Sequence, residues 1–215
     1  DPAGNNGTIV IGSSGSQTSA GTCNSGNSAQ AWNNGTNGKR GASLNFDGTD
    51  DYVLSTSQYT VSNLSNISIS AWVKRTGTSL GSLPGIVAYG YGDEGTNPRF
   101  ILYTSNNNIG IFMQGTSTGS NNISTYTVPI DEWVHITGTY DGTFQRIYVN
   151  GTLNARYSQA VGALTGSKYI QIGMNDKDFV TNAFNGQIDE VKIYNYTLTP
   201  EQVKLDYNSG AVRFE

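Results

Sequence analysis

The strongest constraint on the fold is a series of short β-type runs separated by turn signals. Residues 67–74 (ISISAWVK) alternate between apolar and polar side chains, with Trp72 as the large residue on the polar face. A period of two places one face of a strand in the core, and Trp72 indicates that the second face is partly covered. Because turn signals recur about every 8–12 residues, the pattern is typical of a β-sandwich or jelly roll.

The same pattern predicts about a dozen strands and one helix. The helix starts with Thr199 as its cap, Pro200 at the first helical position and Gln202 at the capping-box position, and Gly210 can end it. The strands are predicted at residues 8–11, 42–46, 52–55, 67–74, 85–89, 99–104, 109–114, 132–140, 145–149, 152–157, 169–173 and 186–194, with 211–214 as a further edge strand.

Composition favours an all-β domain over a helical bundle. Only 13% of the 215 residues are charged, whereas the chain holds 27 Gly and 13 Tyr. Aromatic and β-branched residues pack well on pleated surfaces, and Gly suits turns. We predict one domain over residues 1–215, in which residues 1–40 are Gly/Ser/Asn-rich and partly loop, and the core spans about residues 41–207.

Charge and hydropathy exclude two classes of partner. The net charge of −4 lacks the basic footprint that nucleic acid requires. No apolar run approaches the ~18 residues of a membrane span, so we expect no membrane insertion. Cys23 is the only cysteine, which excludes an internal disulfide and leaves its role open. The start of the chain lacks the pattern of a signal peptide, so we expect any export signal to lie outside it.

Several segments together resemble the bacterial laminin-G-like family, a jelly roll of the concanavalin A-like type that is related in fold to pentraxins. In chain order they are GASLNFDGTDDYV at 41–53, ISISAWVK at 67–74, WVHITGTYDG at 133–142, IYVNG at 147–151, NGQIDEVKIYN at 185–195 and LTPEQV at 198–203. The resemblance implies a two-sheet antiparallel β-sandwich with one short C-terminal helix. It leaves function open, because jelly rolls include lectins, glycan hydrolases and spacers.

Glycan hydrolysis needs two carboxylates about 5–10 Å apart, and hydrolases of this general fold carry their acids on one strand. No two glutamates share a predicted strand here, and the adjacent Asp189 and Glu190 would point to opposite faces. His135, the only histidine, is interpreted as a packed or surface-facing strand residue. We therefore predict no catalytic residues and a protein that is not an enzyme.

Oxygen-rich segments provide two candidate Ca²⁺ sites, because Ca²⁺ takes six to eight oxygen ligands. Similarity to pentraxins implies the first, whose candidate ligands are Asp93, Asn97, Asn175, Asp176 and Asp178; the alternative is a pair of solvated turns. The second combines Asp189 with Asp47 and the chain start, where jelly-roll hydrolases hold a structural calcium. Turn amides around Gly48 or a pairing with Arg40 could instead satisfy Asp189.

Candidate glycan contacts lie around one loop, because sugars stack on aromatic rings and accept hydrogen bonds from planar polar groups. They are Tyr89, Tyr91, Arg99 and Tyr103, and the alternative is that the tyrosines fill strands. The predicted function is a non-catalytic carbohydrate- or glycoconjugate-binding or adhesion module of a larger exported protein, secreted or at the cell surface, and stabilised by calcium. The alternative is a structural spacer or assembly domain of a surface, adhesin or pilus-like protein, with neighbouring protein domains as its partners.

Overall fold

The computed structural model describes residues 7–11, 38–76, 83–91, 99–115, 119–175 and 183–208. These residues form fourteen strands and one helix. The strands are β1 (Gly7–Val10), β2 (Leu44–Asp47), β3 (Tyr52–Ser55), β4 (Tyr59–Leu64), β5 (Ile67–Arg75), β6 (Gly85–Tyr91), β7 (Arg99–Ser105), β8 (Asn108–Gln114), β9 (Gly119–Thr127), β10 (Val134–Tyr140), β11 (Phe144–Val149), β12 (Thr152–Ser158), β13 (Leu164–Ile172) and β14 (Asn185–Tyr194); the helix is α1 (Pro200–Tyr207).

The strands form two antiparallel sheets that pack face to face. The larger sheet has the order β1-β3-β13-β6-β7-β8-β9, with β4 pairing beside β13, and the smaller sheet has the order β12-β11-β10-β5-β14-β2. Strands that are distant in sequence lie side by side, since β5 pairs with both β10 and β14. This confirms the all-β, two-sheet sandwich that the sequence predicts.

The core lies between the sheets and follows the alternation along each strand. On β5, Ile69, Ala71 and Val73 are fully buried among the inward-facing side chains of the larger sheet. Gly138 on β10 makes room for that sheet, because a Cβ at this position would lie 3.0 Å from Cδ1 of Ile111. Burial of apolar surface on this scale is the main stabilising contribution to such a fold.

Helix α1 covers the outer face of the smaller sheet. Thr199 and Gln202 form the predicted capping box, and Pro200 occupies the first turn. The helix ends at Asn208, two residues before the predicted stop at Gly210, which lies outside the described residues. Trp72 on the outer face of β5 is only 4% exposed and packs against Tyr207, which confirms that this second face is covered. No helix in the described ranges is long and apolar enough to cross a membrane.

Two strands were not predicted from the sequence. β9 (Gly119–Thr127) is an edge strand rich in Ser, Asn and Thr, and it has no clear apolar alternation. β4 (Tyr59–Leu64) pairs with the first half of β13, which begins five residues earlier than predicted. Both strands depend on a neighbour that supplies backbone hydrogen bonds, so their formation is decided by tertiary context. The predicted edge strand at 211–214 lies outside the described residues.

Candidate binding site

A cleft of about 360 Å³ opens between the two sheets at one end of the sandwich. Its volume lies in the range of small-ligand sites. The larger sheet contributes β4, Tyr89 of β6 and Ile170 of β13, while the smaller sheet contributes Ile67 and the end of β14. The lining residues are Tyr59, Thr60, Val61, Leu64, Ile67, Tyr89, Ile170, Ile193, Tyr194, Asn195 and Tyr196. Four tyrosines therefore meet at one opening.

Tyr89 forms the floor of the cleft and holds one of its sides. Its hydroxyl shares its one proton between the carbonyl oxygens of Tyr59 at 3.2 Å and Gly166 at 3.0 Å, so it joins β4 to β13. Burial raises the pKa of Tyr89 to about 12, which keeps the hydroxyl protonated as a donor at neutral pH. The position of Tyr59 at the rim thus depends on a buried residue of a third strand.

The opposite side of the cleft is the wall formed by Tyr194 and Tyr196, here called the aromatic wall. The two rings meet edge to face with their centroids 5.6 Å apart. Buried Ser68 of β5 holds the backbone, because its hydroxyl donates to the Tyr196 carbonyl at 3.0 Å and accepts from the Leu198 amide at 2.9 Å. Tyr196 is 46% exposed, so this ring is presented to solvent on a fixed backbone.

The lining chemistry suits binding of an uncharged ligand through apolar surface and hydrogen bonds. Aromatic faces provide large contact area at a small entropic cost. The side chains of Thr60 and Asn195 add a hydroxyl and an amide at the rim. No carboxylate or imidazole occurs among the described lining residues, so these residues provide no general acid or base.

The three predicted ligand contacts whose side chains are described do not all lie at one surface. Tyr89 lines the cleft, but it is only 4% exposed. Tyr103 is 1% exposed and packs on the other face of the larger sheet, where its ring lies over Gly110 and its hydroxyl donates to Asn121. Arg99 is half-buried opposite Gln114, and the side chain of Tyr91 lies outside the described residues. Tyr103 therefore presents no ring face for a sugar.

Sequence reasoning missed Tyr59, Tyr194 and Tyr196. Tyr194 and Tyr196 were visible as an aromatic pair at the end of the closing strand, directly before the capped helix. That spacing alone does not reveal a cleft, because the facing residues come from β4, which was not predicted. The pairing of β4 with β13 brings Tyr59 to the same opening.

Of the five residues of the first calcium candidate, only Asn175 lies within the part of the chain that the structure describes. Asn175 packs against Gly85 at the beginning of β6, where a Cβ on Gly85 would lie 2.4 Å from the Asn175 nitrogen. Asp93, Asn97, Asp176 and Asp178 lie outside the described residues.

The two residues of the second calcium candidate also lie apart. Asp47 pairs with Asn185, four residues before Asp189 on β14, which is a separation of about 13 Å along the strand. The Asp189 carboxylate accepts hydrogen bonds from the backbone N–H groups of Arg40 and Glu190, each at 2.8 Å. Backbone donors therefore occupy both oxygens, and burial raises the pKa of Asp189 despite them. Of the predicted alternatives, the contact with Arg40 is present, through its amide.

Strand β14 also departs from regular side-chain alternation next to Asp189. Glu190 has a φ of +51°, and the register of β14 against β5 shifts between Asp189 and Lys192. A bulge of this kind re-aims side chains, so Glu190 reaches Lys192, with Oε2 3.6 Å from Nζ. No group of three or more His, Cys, Asp or Glu side chains suited to a metal ion occurs in the described ranges.

His135 is buried beneath α1 rather than in the cleft. It is 1% exposed, and its Nε2 lies 3.4 Å from Oδ2 of Asp206. The Ser70 hydroxyl donates to the same carboxylate oxygen at 2.6 Å rather than to the imidazole. A serine nucleophile would have to contact the histidine that acts as its base, so this trio is a polar contact that joins β5, β10 and α1.

The sandwich, its closing strand and the capped helix define a concanavalin A-like jelly roll. Residues 47–204 match a laminin G family model described as the concanavalin A-like lectin/glucanases superfamily. The match covers most of the chain, so the chain belongs to this superfamily. No curated protein matches the sequence.

Solved structures of similar fold share little sequence with this chain. Domain 4 of AbnA, an extracellular GH43 arabinanase from Geobacillus stearothermophilus solved with arabinotriose, is 22% identical with a TM-score of 0.65, over 94% of this chain and 87% of that one. The binding domain of botulinum neurotoxin serotype G is 18% identical with a TM-score of 0.66, over 97% of this chain and 47% of that one. A pentraxin from Limulus polyphemus is 12% identical with a TM-score of 0.59, over 76% and 80%.

These likenesses concern the fold. The chain spans about half the length of the neurotoxin binding domain, so that larger protein is similar to it only in part. The pentraxin likeness agrees with the relation that the sequence motifs indicate.

Proposed function

We propose that this domain is a non-catalytic carbohydrate-binding module of a larger exported protein, secreted or displayed at the cell surface, and that the cleft holds the glycan. The observation that carries the proposal is the convergence of Tyr59, Tyr89, Tyr194 and Tyr196 from both sheets at one opening of ligand size. Sugar rings offer C–H faces that pack on aromatic rings, and their hydroxyls can bond to Thr60 and Asn195. The likeness to an arabinanase domain solved with arabinotriose supports the choice of a glycan.

The experiment is a glycan array that includes arabinotriose, followed by calorimetry with the wild type and Tyr196→Ala. Removal of this half-exposed ring deletes a stacking surface while the Ser68 hydrogen bond to the backbone remains. An aromatic contact contributes about 0.5–1.5 kcal/mol beyond its area, so affinity should fall about two- to twelvefold.

The matched control is Leu153→Ala, which removes a side chain of similar exposure, 49%, from the edge strand β12. Three strands separate β12 from β14, so glycan affinity should not change in this variant. Equal loss in both variants would place the glycan elsewhere. Absence of binding to every glycan would instead favour the spacer or assembly role.

A further inference from the structure

Helix α1 rests on a polar part of the smaller sheet. Its apolar contacts include a small cluster with Tyr148, Leu198 and Val203 and the packing of Tyr207 on Trp72. Beside it, the outer face of β10 buries Nδ1 of His135 and the hydroxyls of Thr137 and Thr139, for which the described residues provide no hydrogen-bond partner. A buried group of this kind is destabilising, because its hydration is lost without replacement. Docking of α1 over these polar groups therefore depends on specific hydrogen bonds and ion pairs from the helix.

Asp206 supplies those contacts from the last turn of α1. Its side chain is 7% exposed, and Oδ1 accepts from Lys192 Nζ at 2.7 Å and from the Tyr194 hydroxyl at 3.3 Å. Oδ2 accepts from the Ser70 hydroxyl at 2.6 Å and lies 3.4 Å from His135 Nε2. One carboxylate thus joins the helix to β5, β10 and β14, in a buried position where charged hydrogen bonds are strong.

The same carboxylate reaches the cleft through Tyr194. Tyr194 lines the cleft, while its side chain packs with the Tyr148, Leu198 and Val203 cluster under α1 and its hydroxyl donates to Asp206. Burial and the neighbouring Asp206 raise the pKa of Tyr194 to about 12, so this hydroxyl remains a donor at neutral pH. Tyr196, the other ring of the wall, packs on Tyr194 and lies four residues before α1. The wall is therefore held at two points, Ser68 and the docked helix.

We propose that Asp206 is a positioning residue of the cleft, whose contact with Tyr194 makes the placement of the aromatic wall depend on docking of α1. This inference rests on the proposed function only in taking the cleft to be a glycan-binding site. Its physical content is that removal of the Asp206 carboxylate both loosens α1 and moves the wall, although Asp206 does not line the cleft.

Acid should produce the same change as substitution. The groups facing Asp206 are His135 of β10, Lys192 and Tyr194 of β14, with Glu190 beyond Lys192, and Tyr207 of α1 beside His135. Burial alone would raise the pKa of Asp206, but hydrogen bonds from His135, Lys192 and Ser70 bring it below its usual range. A lowered pKa means that this stabilisation is complete above the ordinary value of 3.8 and is lost as the pH falls further.

The test uses two reporters in the intact chain. Trp32→Phe and Trp133→Phe leave Trp72, which packs 5.5 Å from Tyr207, as the reporter of helix docking. 3-Fluorotyrosine at Tyr196 reports on the wall by ¹⁹F NMR. In Asp206→Asn we expect a red shift of Trp72 emission and a shift of the Tyr196 resonance, and in the parent the same changes should develop as the pH falls well below 3.8. Glu201→Gln, an exposed change on the same helix, should move neither signal.

A shifted Trp72 emission with an unchanged Tyr196 resonance would overturn the proposal, because Asp206 would then anchor the helix only. If Asp206→Asn does not fold, Lys192→Met removes one partner of the carboxylate at a side chain that is 36% exposed. It should move both signals in the same direction, and an unmoved Tyr196 resonance would again overturn the proposal. Neither readout needs a glycan, so the result is independent of whether the glycan array succeeds.

Discussion

Gly173 shows how closely the end of β13 approaches the core. Its φ is +87°, and a Cβ at this position would lie 2.3 Å from Cε1 of Phe46, a ring that is only 2% exposed. The backbone also donates to Ile86 at 3.1 Å and accepts from Phe184 at 2.8 Å, so it has little freedom to move. Only glycine satisfies both the left-handed conformation and the lack of space.

We expect Gly173→Ala to lower the free energy of unfolding by about 2–4 kcal/mol, because it adds overpacking to backbone strain. Gly41→Ala is the matched control, since Gly41 has a φ of +73° with no atom within 4 Å of the Cβ position. That change should cost about 1 kcal/mol from strain alone. Urea denaturation measures both, and equal losses would contradict the packing argument.

The tyrosines of β6 and β7 show the limit of prediction at single residues. These strands read GIVAYGY and RFILYTS, with apolar side chains on both faces, so alternation does not tell an exposed ring from a buried one. Gly110 on the neighbouring β8 leaves the space into which Tyr103 folds. That partner is known only once the strands are paired.

Helix α1 starts at the residue that the sequence predicted, as do strands such as β3 and β5. The Gln202 amide donates to the Thr199 hydroxyl at 3.3 Å, and the Thr199 amide donates to Oε1 of Gln202 at 2.8 Å. These contacts are local in sequence, which is why the motif identifies them. The surface that α1 covers is not local, and no sequence signal indicates that Ser70, His135 and Lys192 would meet Asp206.

Thr199→Ala should lower the free energy of unfolding by about 1 kcal/mol, because the first turn of α1 loses its side-chain cap. Urea denaturation of the intact chain measures the effect. Gln202→Ala, which removes only the reciprocal contact, should cost less. A Thr199→Ala variant as stable as the wild type would show that the cap does not limit stability.

For the whole molecule, calcium remains a prediction for the oxygen-rich segments that contain Asp93 and Asp178. We expect EDTA to lower the melting temperature by several degrees and added Ca²⁺ to restore it, since an ion that binds only the folded state stabilises it. Asp93→Asn combined with Asp178→Asn should abolish the response to EDTA. A wild-type melting curve that EDTA leaves unchanged would show that calcium does not stabilise this protein.

The sequence by itself determined the fold class, the faces of strands such as β5 and the capped start of α1, because alternation and capping act over a few residues. The ordered motifs also indicated the superfamily. Only the tertiary structure decided which tyrosines form the cleft and which donors surround Asp206. Those groups come from strands far apart in the chain, and their meeting depends on strand order, on register and on the bulge at Glu190. No local pattern encodes these properties.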